Sequence, residues 1–187
     1  MTQSAGPETG SVTSHAAVFG NTDPERFDRL IGRVWYRLPI QHRNAIEWEW
    51  DKIERRQRRR PPSRYHFDVP IPWLVVPARF HNERMAMSVW RDGAHTDIFS
   101  GTVTFLDSWL TRLSDKSVET LIAAQFAQFY HLTLPPADDD LFGHGEPELD
   151  HDDIVRRWRF GRVALKKEMD RLRPSIEVPT GNGDHAE

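Results

Sequence analysis

The sequence has 187 residues, a length that suits one folded domain with irregular ends better than two domains. It contains no cysteine, which excludes disulfides, thiolate zinc sites, iron–sulfur clusters and cysteine nucleophiles. The formal net charge is −3 at pH 7, so the molecule as a whole is not built to bind nucleic acid or anionic membranes.

Both ends of the chain are rich in small and polar residues, and they predict disordered tails at 1–20 and 174–187. A single domain is then expected over 21–173. No apolar run approaches the roughly 20 residues that a membrane-spanning helix needs. The N-terminus has no basic start followed by an apolar core. We therefore expect a cytoplasmic protein without a membrane partner.

The first clear element is a helix that opens at Asp23-Pro24. An aspartate can cap the free amides, and proline fits the first helical position. The helix should end at Leu38-Pro39, because the residue before a proline avoids helical angles. Apolar residues recur between these points at helical spacing, at Phe27, Leu30, Ile31 and Val34.

A predicted strand and a basic loop come next. Ile46, Trp48 and Trp50 alternate with polar residues, which predicts a strand with one buried face. The run at 55–60 precedes two prolines and predicts a surface loop. Its arginines are Arg55, Arg56, Arg58, Arg59 and Arg60. Clustered positive charge can dock phosphates, so this loop is the best nucleic-acid signal in the chain, although a solvated loop is the simpler interpretation.

The centre of the chain predicts several short strands. Residues 67–77 hold too many prolines for a central strand, so an edge strand or an extended loop is expected there. Residues 83–90 alternate as a further strand, and 91–93 predict a turn. The segment TVTFL at 102–106 predicts a strand, and DSWLTRL at 107–113 predicts a helical turn.

The strongest helix is predicted over 115–133, with a cap at Ser114 or Asp115. A last helical region follows an acidic stretch, and Gly161 should divide it into two helices. Its apolar positions are Ile154, Val155, Trp158, Val163 and Met169. These elements predict an α+β fold, in which a small mixed or antiparallel sheet packs against the strongest helix, with N-terminal and C-terminal helices beside it. The large core anchors are expected to be Trp35, Trp90 and Trp158.

The strongest helix also carries a motif. Many zinc peptidases have two histidines four residues apart on a helix, with a glutamate directly after the first. One ion then meets both imidazoles, and the glutamate reaches the metal-bound water as general base. The stretch LIAAQFAQFYHL at 121–132 resembles that helix, with AQFAQ at 124–128 in place of the pentapeptide. Ala124 and Gln128 occupy the histidine positions, and Gln125 occupies the glutamate position.

The flanking segments extend this resemblance to small bacterial members of the zincin-type metallopeptidases. Upstream, a strand, a short helix and a capped entry look like those that precede the zinc helix. Downstream, 150–161 resembles the acidic, tryptophan-containing helix that carries the third ligand in several zincins, and Asp150 or Asp152 would lie nearest that ligand position. The resemblance covers the order of elements over 24–172 and is specific over 102–161.

Departures from the zincin pattern decide the expected chemistry. Alanine at 124 has no lone pair, and glutamine is a poor zinc ligand. Gln125 cannot accept a proton at neutral pH, so it cannot act as general base. The resemblance therefore implies a catalytically inactive zincin-like protein, without metal or other cofactor, that works as a binding or regulatory module. Its expected partner is an extended peptide or another protein, with 102–106 as the candidate edge strand.

Histidines leave an enzymatic alternative open. His131 lies three residues after Gln128 on the same helical face, and His144 and His151 flank an acidic loop. An active hydrolase with a non-standard metal site would use His131 and carboxylates from 138–153. Solvated loop side chains are the simpler interpretation, because this spacing matches no recognised ligand pattern. A nucleic-acid accessory protein that uses the arginine run at 55–60 is a further alternative.

Overall fold

The computed structural model describes residues 17–18, 20–58, 73–77, 90–134 and 150–176. The described strands and helices gather around one apolar core cluster. Helices predominate, and the strands form one mixed sheet. The α+β class predicted from the sequence is confirmed.

The first helix, α1 (Pro24–Arg37), begins and ends where the sequence predicted. The side chain of Asp23 caps it by accepting a hydrogen bond from the backbone N–H of Glu25 at 3.0 Å. Leu38 is extended, with φ −68° and ψ 143°, because proline follows it. The buried face consists of Phe27, Leu30, Ile31, Val34 and Trp35.

The strand predicted around Ile46 is wrong, because this segment forms a second helix, α2 (Ile40–Arg58). Buried Ile46, Trp50 and Ile53 recur at spacings of four and three, which is the helical period, whereas Trp48 is 59% exposed. Alternation over so few residues fits either period, and packing against the core selected the helix. The basic run therefore begins in the last turn of α2 rather than in a loop.

Four short strands form the sheet in the order β1-β2-β4-β3. They are β1 (Ala17–Val18), β2 (Trp73–Val76), β3 (Ala94–Asp97) and β4 (Thr102–Leu106). Strands β1, β2 and β4 run parallel, and β3 runs antiparallel to β4. The mixed form of the predicted sheet is therefore the one observed.

Two strands lie inside the sheet where the sequence predicted edges. Strand β2 pairs with both β1 and β4, and its prolines stand outside the strand. Strand β4, the TVTFL segment at 102–106, pairs with β2 and β3. Its apolar Val103, Phe105 and Leu106 are all buried, as expected for a strand covered on both faces. The edge role predicted for 102–106 is wrong, and the terminal strands of the described sheet are β1 and β3.

The turn between β3 and β4 packs against α2 and requires a glycine. Gly101 has φ +68°, in the left-handed region that glycine adopts readily. A Cβ atom here would come within 3.0 Å of the Trp50 indole nitrogen and 3.2 Å of the Ile53 Cγ2 atom. The Gly101 N–H donates to the carbonyl of Asp97 at 2.8 Å. This close approach fixes β3 relative to α2.

A one-turn helix, α3 (Asp107–Leu110), leads into the central helix, α4 (Asp115–His131), as predicted. Trp109 of α3 is fully buried, and its indole N–H donates to the carbonyl of Trp90 at 2.8 Å. Trp90 itself is partly buried against the core. Helix α4 contacts α1, α2 and β3, and it is buried on nearly all sides.

The last helical region divides at Gly161, as predicted, into α5 (His151–Arg157) and α6 (Arg162–Leu172). Both helices contact α4. Trp158 is buried in the core, as predicted, whereas Val163, an apolar position of the same predicted helical region, is 71% exposed. Helical spacing alone did not show which side of this short helix would meet the core.

Parts of the predicted tails are structured. Ala17 and Val18 pair with β2, and Ile176 is buried in the core. Tail residues 1–16, 19 and 177–187, the strand predicted at 83–89 and the acidic stretch at 137–149 lie outside the described residues. Within the described ranges, no helix combines the length and the apolar character that crossing a bilayer requires.

Candidate functional site

The middle of α4, residues 121–127, is apolar except for Gln125. This side chain is only 4% exposed. Its Oε1 atom accepts a hydrogen bond from the Thr96 hydroxyl of β3 at 2.6 Å, and its Nε2 atom donates to the Leu121 carbonyl at 3.4 Å. Both polar ends of the buried amide therefore have a partner, as buried polar groups require. The residue in the general-base position of the motif ties α4 to β3.

The two positions predicted for ligand histidines share a face of α4. Ala124 is 6% exposed, and Gln128 lies one turn later and is half-buried. The methyl group of Ala124 has no lone pair. The amides of Gln125 and Gln128 do not titrate near neutral pH. This part of α4 thus offers neither a strong metal ligand nor an acid or base.

The two carboxylates predicted near the third ligand lie at the start of α5 and are exposed. Asp150 caps α5, since its Oδ1 atom accepts from the backbone N–H of Asp153 at 2.8 Å. Asp152 forms an ion pair with Arg162, with 2.8 Å between Oδ1 and Nε. Each carboxylate therefore already has a local structural partner.

Asp152 also lines a groove of about 460 Å³. The groove lies between helix α6 and the residues just before β3, Arg91 and Asp92. Leu165 and Met169 form its apolar floor, and its rim carries charged side chains of both signs. The predicted ligand positions on α4 are not part of its lining. The structure therefore places Asp152 in a groove that it does not share with Ala124, Gln125 or Gln128.

The C-terminal end of α4 brings two histidines together. His131 is the last residue of α4, and His151 is the first of α5. Their ring centroids are 4.5 Å apart with an interplanar angle of 47°. Partial burial of the ring, followed by the charge of His131, lowers the pKa of His151. The surroundings of His151 therefore disfavour its charged imidazolium form.

A third histidine at this end was not singled out by the sequence. The His42 ring stacks on Tyr130, with centroids 4.2 Å apart, and its Nδ1 atom accepts from the Trp158 indole N–H at 2.7 Å. Burial lowers the pKa of His42. Predicting a strand at Ile46 hid this residue, because only the helix α2 carries His42 to the end of α4. Trp158 also packs against the rings of His42 and Tyr130, with centroids 5.8 Å apart in each case. The group of His42, Tyr130 and Trp158 is called the aromatic clasp below.

Only part of the arginine run at 55–60 lies within the described residues. Arg55 and Arg56 are exposed on the last described turns of α2. Arg55 forms an ion pair with Asp51, with 3.3 Å between Nη2 and Oδ2. The side chain of Arg58, and Arg59 and Arg60 altogether, lie outside the described residues. The nucleic-acid alternative therefore stays a prediction.

Within the described ranges, no three histidine, aspartate or glutamate side chains are arranged to hold a metal ion together. The acidic-loop residues of the hydrolase alternative at 138–149 lie outside those ranges. Neither a protein-family model, nor a curated protein, nor a solved structure matches this chain.

Proposed function

We propose that this chain is a catalytically inactive zincin-like protein that works as a binding module for an extended peptide. The observation that carries the proposal is the buried hydrogen bond from Thr96 to Gln125. In the resembled motif, position 125 holds the glutamate that activates water. Here an amide fills it, and its oxygen is used to hold the helix against the terminal strand.

The neighbouring chemistry supports an inactive centre. Ala124 cannot ligate a metal ion, and an amide at 125 cannot accept a proton from water at neutral pH. Restoring a glutamate at 125 alone would bury a carboxylate at a site that is 4% exposed, which is unfavourable without a cation or a full set of donors. The pair of Thr96 and Gln125 is thus a stable structural substitute for a reactive group.

Strand β3 (Ala94–Asp97) supports the choice of an extended peptide. It is one of the two terminal strands of the described sheet, and it pairs there with β4. His95, Thr96 and Asp97 are only partly buried. A terminal strand can pair with an extended chain through backbone hydrogen bonds while neighbouring side chains read the sequence. Helix α4 packs against β3 through Gln125, so a peptide bound there would lie beside the degenerate motif.

The zincin resemblance is tested by rebuilding the motif as the triple substitution Ala124→His, Gln125→Glu and Gln128→His. Calorimetric titration with zinc should give one ion per chain. The matched control is Lys166→His with Asp170→His, which places two histidines four residues apart on the exposed face of α6. If the zincin geometry holds, the triple variant should bind zinc at least about tenfold more tightly than the control and the unchanged chain, because a zincin adds a third protein ligand from outside the helix and an exposed histidine pair does not.

A triple variant that unfolds cooperatively yet binds zinc no better than the control pair would count against the zincin geometry. The peptide is tested separately, with a synthetic copy of residues 100–108, whose sequence forms an extended strand in this fold and which would have to pair with the edge of β3 opposite β4. Amide NMR shifts should change at 94–97 at peptide concentrations of about 1 mM, and a scrambled peptide should leave them unchanged. Absence of shifts at β3 would remove the binding half of the proposal.

A further inference from the structure

The junction between α4 and α5 brings two imidazole rings into contact. His131 and His151 come from the facing ends of two helices, with ring centroids 4.5 Å apart. Helices α4 and α5 pack directly against each other, so the backbone positions of both histidines are set by the fold. Imidazole nitrogen is a preferred ligand for zinc, copper and nickel.

Two aspartates and one arginine lie on the α5 and α6 side of the junction. Asp150 is the exposed cap of α5. Asp152 is paired with Arg162 at the start of α6, with 2.8 Å between Oδ1 and Nε. These three side chains together leave one carboxylate charge on this side of the junction that is not balanced by Arg162.

The distance between the rings favours some metals over others. An ion bound to an imidazole lies about 2.0 Å from the nitrogen, and so about 3.2 Å from the ring centroid. If each ring directs one nitrogen at a shared ion, two centroids 4.5 Å apart subtend roughly a right angle at that ion. Right angles between neighbouring ligands are typical of tetragonal Cu²⁺ and Ni²⁺, whereas Zn²⁺ prefers the wider tetrahedral angle.

We propose that His131 and His151 form a site for a divalent transition-metal ion of tetragonal preference, Cu²⁺ first and Ni²⁺ second, with water completing its coordination. The site joins the end of α4 to the start of α5. It is separate from positions 124–128, and it does not depend on the proposed function, so either can fail without the other.

The test is a calorimetric titration of untagged protein with the chlorides of Cu²⁺, Ni²⁺, Zn²⁺ and Mg²⁺ at pH 7.5. Affinity should fall in that order, and Mg²⁺ should not bind because it prefers oxygen ligands. His131→Ala and His151→Ala should each weaken Cu²⁺ binding by about tenfold or more. The matched control is His95→Ala on β3, which should leave the affinity unchanged. Unchanged affinity in both α4 and α5 variants would overturn the proposal.

Electron paramagnetic resonance with one equivalent of Cu²⁺ gives a second readout, first on the unchanged protein and then on His151→Gln. The spectrum should be axial, with hyperfine splitting from two imidazole nitrogens, and His151→Gln should reduce the number to one. A spectrum of free hydrated copper, or a nitrogen count that is unchanged in His151→Gln, would show that the ion does not sit at this junction.

Discussion

The middle and the C-terminal end of α4 are held by different chemistry. In the middle, Phe126 has no exposed surface, and its ring lies 5.1 Å from that of Trp35 and 5.2 Å from that of Trp73. The polar contact there, between Gln125 and Thr96, is neutral. At the end, by contrast, histidines take part in both side-chain clusters, the aromatic clasp and the junction of α4 with α5.

Along this one helix, the middle has a structural role and the C-terminal end carries the groups that titrate. The middle depends on apolar burial and one neutral hydrogen bond, neither of which changes with pH between 5 and 8. The C-terminal end depends on the uncharged forms of His42 and His151, whose pKa values are lowered by burial first. The middle should therefore govern the stability of the fold, and the end should govern its response to protons and metal ions.

The largest effect is expected for Phe126→Ala in the middle of α4. Removing a fully buried aromatic ring should reduce the free energy of unfolding by about 3–5 kcal/mol, because burial is lost and a cavity remains. Urea unfolding followed by circular dichroism measures the loss. Leu132→Ala, at a side chain that is 39% exposed just after α4, is the control and should cost about 1 kcal/mol or less. Equal losses would show that the two regions do not differ.

A smaller effect is expected from the Gln125–Thr96 pair. Gln125→Leu leaves the Thr96 hydroxyl without its acceptor, and Thr96→Val leaves the amide oxygen without its donor. Each should reduce the free energy of unfolding by about 1–3 kcal/mol. The double variant should lose less than the sum of the two, since no polar atom of the pair is then left unpaired. Strict additivity in the urea midpoints would mean that the hydrogen bond does not tie α4 to β3.

The smallest effect is a pH dependence confined to the end of α4. The folded pKa values of His42 and His151 lie below the unfolded value of about 6.5. The unfolded chain therefore binds more protons as pH falls below that value. Their stabilising contribution is complete above pH 6.5 and is lost as pH falls toward the folded pKa values.

This dependence is measured by urea unfolding from pH 8 to pH 5. The combined variant His42→Gln and His151→Gln should flatten the decline, because glutamine does not titrate and its amide oxygen can still accept from Trp158. Gln125→Leu should lower the whole curve without altering its slope. If the free energy of unfolding declines just as steeply in the histidine variant, groups elsewhere in the chain cause the acid sensitivity.

Local sequence signals predicted several elements correctly. Asp23, Pro24 and Leu38-Pro39 mark α1 because caps and proline act through bonds within a few residues. The long apolar pattern over 115–133 predicted α4, and Gly161 predicted the division of the last helices. The sequence analysis named both His131 and His151 in the alternative of a non-standard metal site. The sequence could not give the distance between their rings.

What the sequence determined by itself is the α+β class, the bounds of the capped helices and the absence of zinc ligands and a base at 124, 125 and 128. Tertiary structure alone decided that the segment around Ile46 is a helix and that β4 lies inside the sheet. Short apolar patterns fit more than one period, so only packing against distant residues selects between them. The same long-range packing brought His42 to Tyr130 and His151 to His131, because residues far apart in the chain become neighbours only when the core forms.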